Sequence, residues 1–132
     1  MLSHVFVGVT DFDRAYRFYT SVLHELGAEL RFCDRADAWA GWQAPNLPRP
    51  LFLIGRPYNR EPASPGNGQM TALLAPSREA VDRAYAVALE QGGRCDGKPE
   101  LRPQYHPNYY GAYFRDLDNN KICVCCHDPL PV

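Results

Sequence analysis

This sequence predicts an α+β fold built from two copies of one β-α-β-β-β unit, and an internal repeat together with the strand pattern behind each repeat predicts it. Asp11 and Ser77 each stand where a helix would be capped, and Gly27 and Gly93 each stand where it would stop. Both pairs lie 66 positions apart, half of the 132-residue chain, so the chain reads as one unit written twice. Three short stretches of strand composition follow each helix. They are AELRFCD, AWAGWQA and PLFLIG in the first half, and GRCDG, NYYGAYF and NKICVCCH in the second.

The elements follow in order. In the opening strand, SHVFVGVT, residues Val5, Val7 and Val9 form one apolar face suited to helix packing, which leaves His4 and Phe6 on the other. The first helix carries Phe12, Ala15, Tyr16, Tyr19, Val22, Leu23 and Leu26 at helical spacing. Trp39 and Trp42 fall on opposite faces of their strand, so at most one lines an interior cavity. RPYNREPASPGNG, rich in Pro, Gly and Asn, links module one (about 1–56) to module two (about 67–128). GQMTALLAP then places Met70, Ala72 and Leu74 on one face. The second helix carries Val81, Ala84, Tyr85, Ala88 and Leu89. GKPELRPQYHPN reads as a long irregular insertion, a kind of loop that tends to carry function. In the last strand Cys123, Cys125 and His127 share one face, and Ile122, Val124 and Cys126 share the other.

Length and composition exclude several classes. Residues 1–132 make one domain. A net charge of -1 lacks the basic excess that a phosphate backbone or an anionic membrane demands, so neither nucleic acid nor membrane is expected as a partner. No signal-peptide pattern or long apolar stretch is present, and a cytoplasmic protein is the expectation. Five cysteines at irregular spacing cannot all pair, and no Cys-x-x-Cys occurs, so reduced thiols are expected. Phosphate-binding, Gly-x-Ser-x-Gly and dinucleotide fingerprints are also missing.

The duplicated units, HVFVGVTDFDRAYRFYTSVLHELG at the start and YYGAYFRDLDNNKI near the end, resemble the vicinal oxygen chelate superfamily: the glyoxalase, bleomycin-resistance and extradiol-dioxygenase relatives. FRDLDNNKI is similar to the closing Asp-Pro-Asp-Gly-Asn turn of that superfamily, with Leu117 and Asn119 in place of Pro and Gly. The resemblance implies a curved, open, barrel-like mixed sheet around a cavity with the helices outside, and a homodimer whose second copy completes the cavity wall. It also implies a divalent-metal site in active relatives, at positions that fall here on His4, Met70 and Cys123. His, Met and Cys form a soft donor set, unlike the imidazole and carboxylate donors that hold harder ions. The expectation is therefore a degenerate site with no cofactor, and Met70 and Cys123 as adaptable cavity lining; a divalent or soft metal ion is the alternative.

The ligand pocket expected from these placements consists of His4, Phe6, Met70, Ala72, Arg102, Tyr105, His106, Tyr110 and Cys123. Arg102 would recognise charge, and His106 with one of Tyr105, Tyr109 and Tyr110 would orient the ligand. Two function classes follow. The first is a binding protein for a small, anionic or aromatic molecule. The second is a metal-dependent lyase or isomerase of the glyoxalase type, similar to a lactoylglutathione lyase, in which an ion or an acid/base pair moves a proton next to a carbonyl.

Overall fold

The computed structural model describes residues 1–131. Module one contains β1 (His4–Gly8), α1 (Phe12–Glu25), β2 (Glu29–Asp34), β3 (Trp39–Gln43) and β4 (Leu51–Gly55). Module two repeats the order with β5 (Thr71–Leu74), α2 (Arg78–Glu90), β6 (Arg94–Leu101), β7 (Tyr110–Arg115) and β8 (Lys121–Cys126). Each module is a four-stranded mixed sheet, ordered β1-β4-β3-β2 and β5-β8-β7-β6. In each, the first strand runs parallel to the last and the other neighbours are antiparallel. The duplicated fold expected from the repeat is the fold observed, as two open curved sheets rather than a closed barrel.

Local chemistry accounts for the helix boundaries. The Asp11 carboxylate accepts from the Arg14 N–H and the Ser77 hydroxyl accepts from the Ala80 N–H, each satisfying one backbone donor of a first turn. Gly27 ends the first helical turn region at φ 76°, a conformation glycine adopts without strain. Helix α1 buries Phe12, Ala15, Phe18, Tyr19, Val22 and Leu23. Phe18 lies outside the predicted stripe, yet it is fully covered because α1 packs against module two as well as its own sheet, with its ring edge-on to Phe114 of β7 at 6.1 Å. Burying a side chain of this size is worth about 1.5–3 kcal/mol.

One core runs through both modules between helices and sheets, and it takes the even positions of β7 and β8. Ala112, Phe114, Ile122, Val124 and Cys126 belong to it, while Cys123 and Cys125, also buried, do not. Strand β6 differs from the sequence reading: residues 98–101, assigned there to an irregular insertion, extend the strand to Leu101. Pro99 is tolerated because β6 is an edge strand, and two bulges, around Gly97, absorb the extra residues.

A single buried carboxylate fastens the modules together. Asp116 is the one charged side chain buried among the described residues. It accepts from the Tyr19 hydroxyl of α1 at 2.5 Å, from the Asp118 and Asn120 N–H groups, and from the Asn120 amide. That same amide donates to the Gly8 carbonyl at 2.9 Å, and the Thr10 N–H donates to Asp118 at 3.0 Å. Burial raises the Asp116 carboxyl above the usual carboxylate range, and these donors offset only part of that rise. Burial also pushes the Tyr19 phenol well up. Replacing Asp116 by Ala strands the Tyr19 hydroxyl in the core, so Asp116→Ala should cost about 3 kcal/mol in urea unfolding. A cost near zero would show that the clasp contributes nothing.

Candidate functional site

Strand alternation leaves one face of each sheet free of helix, and each free face carries a hollow. In module one a hollow of about 880 Å³ is lined by Phe6, Trp39, Arg56, Tyr58 and Arg60 among others. In module two a hollow of about 870 Å³ lies against Met70, Asp96, Arg102, Tyr105, His106, Tyr109, Tyr113, Arg115, Lys121 and His127. A narrow cleft lined by both Phe6 and Met70 runs between the modules. Trp39 is the tryptophan on a hollow face; Trp42 is buried on the helix side, stacked with Tyr16 at 5.8 Å.

The module-two hollow gathers more chemistry. Tyr113 pairs with Cys123 across β7 and β8, and Gly111 pairs with Cys125. Gly111 is required where it stands, because a Cβ there would lie 2.8 Å from the Tyr109 ring that crosses the strand. Gly97, at φ 150°, gives the same clearance to the Tyr113 ring. The Tyr109 hydroxyl sits 3.0 Å from the Tyr113 hydroxyl and 3.4 Å from Cys123 Sγ. Arg102 and Lys121 both approach the Tyr113 ring, at 4.8 and 5.4 Å from its centre.

A directed chain of hydrogen bonds reaches Cys125 from the rim. The Asn108 N–H donates to His106 Nδ1 at 3.1 Å, so neutral His106 carries its proton on Nε2. That nitrogen lies 2.8 Å from His127 Nδ1, which leaves the His127 proton on Nε2, 3.6 Å from Cys125 Sγ. The Cys123 thiol is lowered to about 7, chiefly by the neighbouring Cys125 thiol and further by Tyr109, Tyr113 and the Arg102 charge, against the upward push of burial. The Cys125 thiol is raised, first by its Cys123 neighbour and then by burial. Tyr109 is raised by burial and by its bond to Cys123.

The expected pocket residues take different places. Met70, Arg102, Tyr105 and His106 line the module-two hollow. Cys123 is fully buried and is not among the residues lining that hollow, and Ala72 is paired with it from the edge strand β5. Phe6 lines the module-one hollow and the cleft, and His4 is exposed, bonded to Ser3 Oγ at 2.9 Å. Tyr110 belongs to the opposite face, a correction to the expected pocket. Its hydroxyl donates to Asp82 on α2 at 2.6 Å, because even positions of β7 face the helices. Arg102 spends its fork on the Lys98 and Gly111 carbonyls and on Glu100, holding the bulged end of β6. Tyr113, Arg115, Lys121 and His127 were missed as lining residues, although counting by twos from Tyr109 and Cys123 would have found them.

The three positions that the resemblance assigns to a metal have different surroundings: His4 is exposed, Met70 is half-exposed and Cys123 is fully buried. His4 bonds its neighbour Ser3 on module one, while Cys123 lies 3.4 Å from the Tyr109 hydroxyl. Among the described residues no three His, Cys, Asp or Glu side chains are arranged to hold a metal ion. His4, Met70 and Cys123 therefore do not fit a hard divalent ion.

Comparison with known proteins agrees with this architecture. A profile described as Glyoxalase/Bleomycin resistance protein/Dioxygenase superfamily matches residues 1–124. A glyoxalase/bleomycin resistance protein from Albidiferax ferrireducens T118 is 33% identical with a TM-score of 0.83, covering 97% of this chain and 99% of its own. Two further structures share the fold alone. A glyoxalase-related enzyme from Fulvimarina pelagi is 16% identical with a TM-score of 0.73, covering 100% of this chain and 91% of its own. A superfamily member from Sphaerobacter thermophilus DSM 20745 is 22% identical with a TM-score of 0.63, covering 96% of each chain. No functionally curated protein is significantly similar to this chain.

Because Cys123 is held near neutrality, the thiolate absorbance of wild type minus that of Cys123→Ser should rise through a midpoint near pH 7. A difference curve with its midpoint at the ordinary thiol value of 9.0 would remove the donor cluster from the account.

Proposed function

We propose that this chain, which belongs to the glyoxalase/bleomycin resistance protein/dioxygenase superfamily, holds a small anionic or aromatic molecule in the hollow of its second module, without a resident divalent ion. One observation carries the reading. The lining sets three cations, Arg102, Arg115 and Lys121, against one carboxylate, Asp96, on walls made of Tyr105, Tyr109 and Tyr113. Cations lining a concave surface raise the local concentration of anions, and aromatic walls add area at low entropic cost. Arg115 and Lys121 share Asp96 at 2.9 and 3.8 Å, so each has donor capacity left for a ligand oxygen. A glyoxalase-type lyase working through a divalent ion finds no group of three His, Cys, Asp or Glu donors among the described residues.

The reading includes a second copy of the chain. Phe6, Met70 and Leu74 are 49%, 46% and 69% exposed on the uncovered faces, apolar area that a homodimer would cover while adding a wall to each hollow. Edge strands β2 and β6 gain protection in the same way. No helix among the described residues is long and apolar enough to cross a membrane. All five cysteines are unpaired, which suits a reducing, cytoplasmic setting.

A thermal-shift screen of benzoate-type acids against neutral analogues tests the binding reading. Acids should raise the melting temperature, the shift should shrink with added salt, and EDTA should leave it unchanged. Lys121→Met should abolish the shift while barely moving the melting temperature of the free protein, since its long, partly exposed ion pair with Asp96, at 3.8 Å, is worth about 0–1 kcal/mol. No acid-specific shift, or one that requires metal, defeats the reading. Light scattering at micromolar concentration should give twice the chain mass of 14.9 kDa; the single-chain mass would remove the dimer.

A further inference from the structure

We propose that the His106–His127 pair makes ligand capture proton-linked: binding of a small carboxylate in the module-two hollow is accompanied by uptake of one proton on these two imidazoles. The inference rests on the binding reading above and adds a recognition element to the same site. Both rings line the hollow, and they stack on each other with centroids 5.0 Å apart and planes 29° apart. His106 belongs to the loop before β7 and His127 follows the end of β8, so the pair ties the rim loop to the sheet.

The hydrogen bonds fix what a proton would do there. In the neutral pair the Asn108 N–H donates to His106 Nδ1 at 3.1 Å, and His106 Nε2–H donates to His127 Nδ1 at 2.8 Å. Both accepting nitrogens are therefore occupied. A charged imidazole has two donors and no acceptor, so an added proton costs the pair one of these bonds. If His106 keeps its tautomer, N–H meets N–H across the 2.8 Å contact and the rings part; if the tautomer switches, the Asn108 bond is lost. His127 is exposed and His106 half-buried, so solvent reaches the contact. The proton converts a pair that donates inward into a cation at the rim of the hollow.

The surroundings supply no counter-charge of their own. Tyr109 stands edge-on to both rings, at 5.7 and 5.3 Å, with Tyr105 packed on it at 5.0 Å, and Cys125 Sγ lies 3.6 Å from His127 Nε2. Asp128 follows His127 in the chain, yet neither imidazole is paired with a carboxylate among the described residues. Across the hollow stand Arg102, Arg115 and Lys121, and Asp96, the one carboxylate of the lining, is shared between Arg115 and Lys121. Tyr113 lines β7, and Gln69 and Met70 of the linker carry no charge. A bound carboxylate thus brings the negative charge that the pair lacks, and an opposite charge nearby favours the protonated imidazole. A site that gains a proton with its ligand binds more tightly as pH falls. The gain is complete below the midpoint of the free pair and is lost as pH rises through the higher midpoint of the complex.

Calorimetric titration with benzoate from about pH 8 to about pH 5.5 covers the range in which histidine changes charge, while the ligand, a carboxylic acid titrating near about 4, stays ionised. Affinity should rise about fivefold or more toward the acid end. His127→Phe keeps a flat ring without nitrogens; whatever its affinity at the alkaline end, its acid-to-alkaline ratio should fall below about twofold. His24→Gln, on α1, should keep the wild-type ratio. Histidine ring NMR of the wild type reads the same link without a variant: saturating benzoate should raise the titration midpoint of a rim imidazole and leave those of His4 and His24 in place. Saturable binding of equal affinity across this pH range, a His127→Phe ratio equal to wild type, or rim midpoints that do not rise would overturn the proposal while the binding reading stands. No saturable binding at either end sinks the binding reading, and the proton link with it.

Discussion

Each sheet of this protein has two faces and the chain supplies one helix per sheet. That constraint governs everything at the candidate site. The odd and even positions of a strand point to opposite sides. Once α1 and α2 have claimed the side of Val7, Val9, Ile54, Phe114, Ile122 and Val124, the residues between them form a surface with no helix to cover it. Phe6, Trp39, Met70 and Leu74 stand exposed there for that reason, and both hollows lie against those uncovered faces. In a sandwich with helices on both sides the same positions would be core.

The two modules are held in one arrangement by polar groups as well as by the helix contact. Asp116, Asp118 and Asn120 lie in the tight β7–β8 turn and bond to Tyr19, Thr10 and Gly8 of module one. A buried carboxylate is costly unless its oxygens are fully used, and here its two oxygens accept four hydrogen bonds. The motif that carries the superfamily resemblance in the sequence is therefore also the joint between the halves. Loss of the usual Pro and Gly at Leu117 and Asn119 is accommodated within the turn: Asn119 takes φ 69°, a left-handed conformation that asparagine tolerates.

Much of the fold was legible because it depends on periodicity. The caps at Asp11 and Ser77, the valine face of β1 and the split of β8 into Cys123 and Cys125 against Ile122, Val124 and Cys126 all follow from spacing alone. Strand β6 was cut short because GKPELRPQYHPN reads as one irregular stretch, and only the sheet order reveals that Pro99 occupies an edge strand, where it is tolerated. At the site, Arg102 was legible as a cation near the hollow, but the use of its fork on its own hairpin depends on bulges that composition does not show. Tyr110 was placed in the pocket by proximity to the functional-looking loop; parity with Ala112 and Phe114 puts it against α2. The His106–His127 contact joins residues 21 positions apart across the end of the sheet, and no local pattern announces it.

The central claim is that the uncovered face of module two is the ligand-binding surface of this protein. A two-dimensional ¹H–¹⁵N NMR titration of the labelled protein with benzoate tests it most directly, because every backbone amide reports its own position. The account predicts saturable shifts confined to the hollow: Gly97, Tyr109 to Arg115, and Lys121 to His127, with α1 and α2 silent. Shifts that map instead to the helices or to the module-one hollow around Arg56 and Tyr58, or no saturable shift at all, would contradict it.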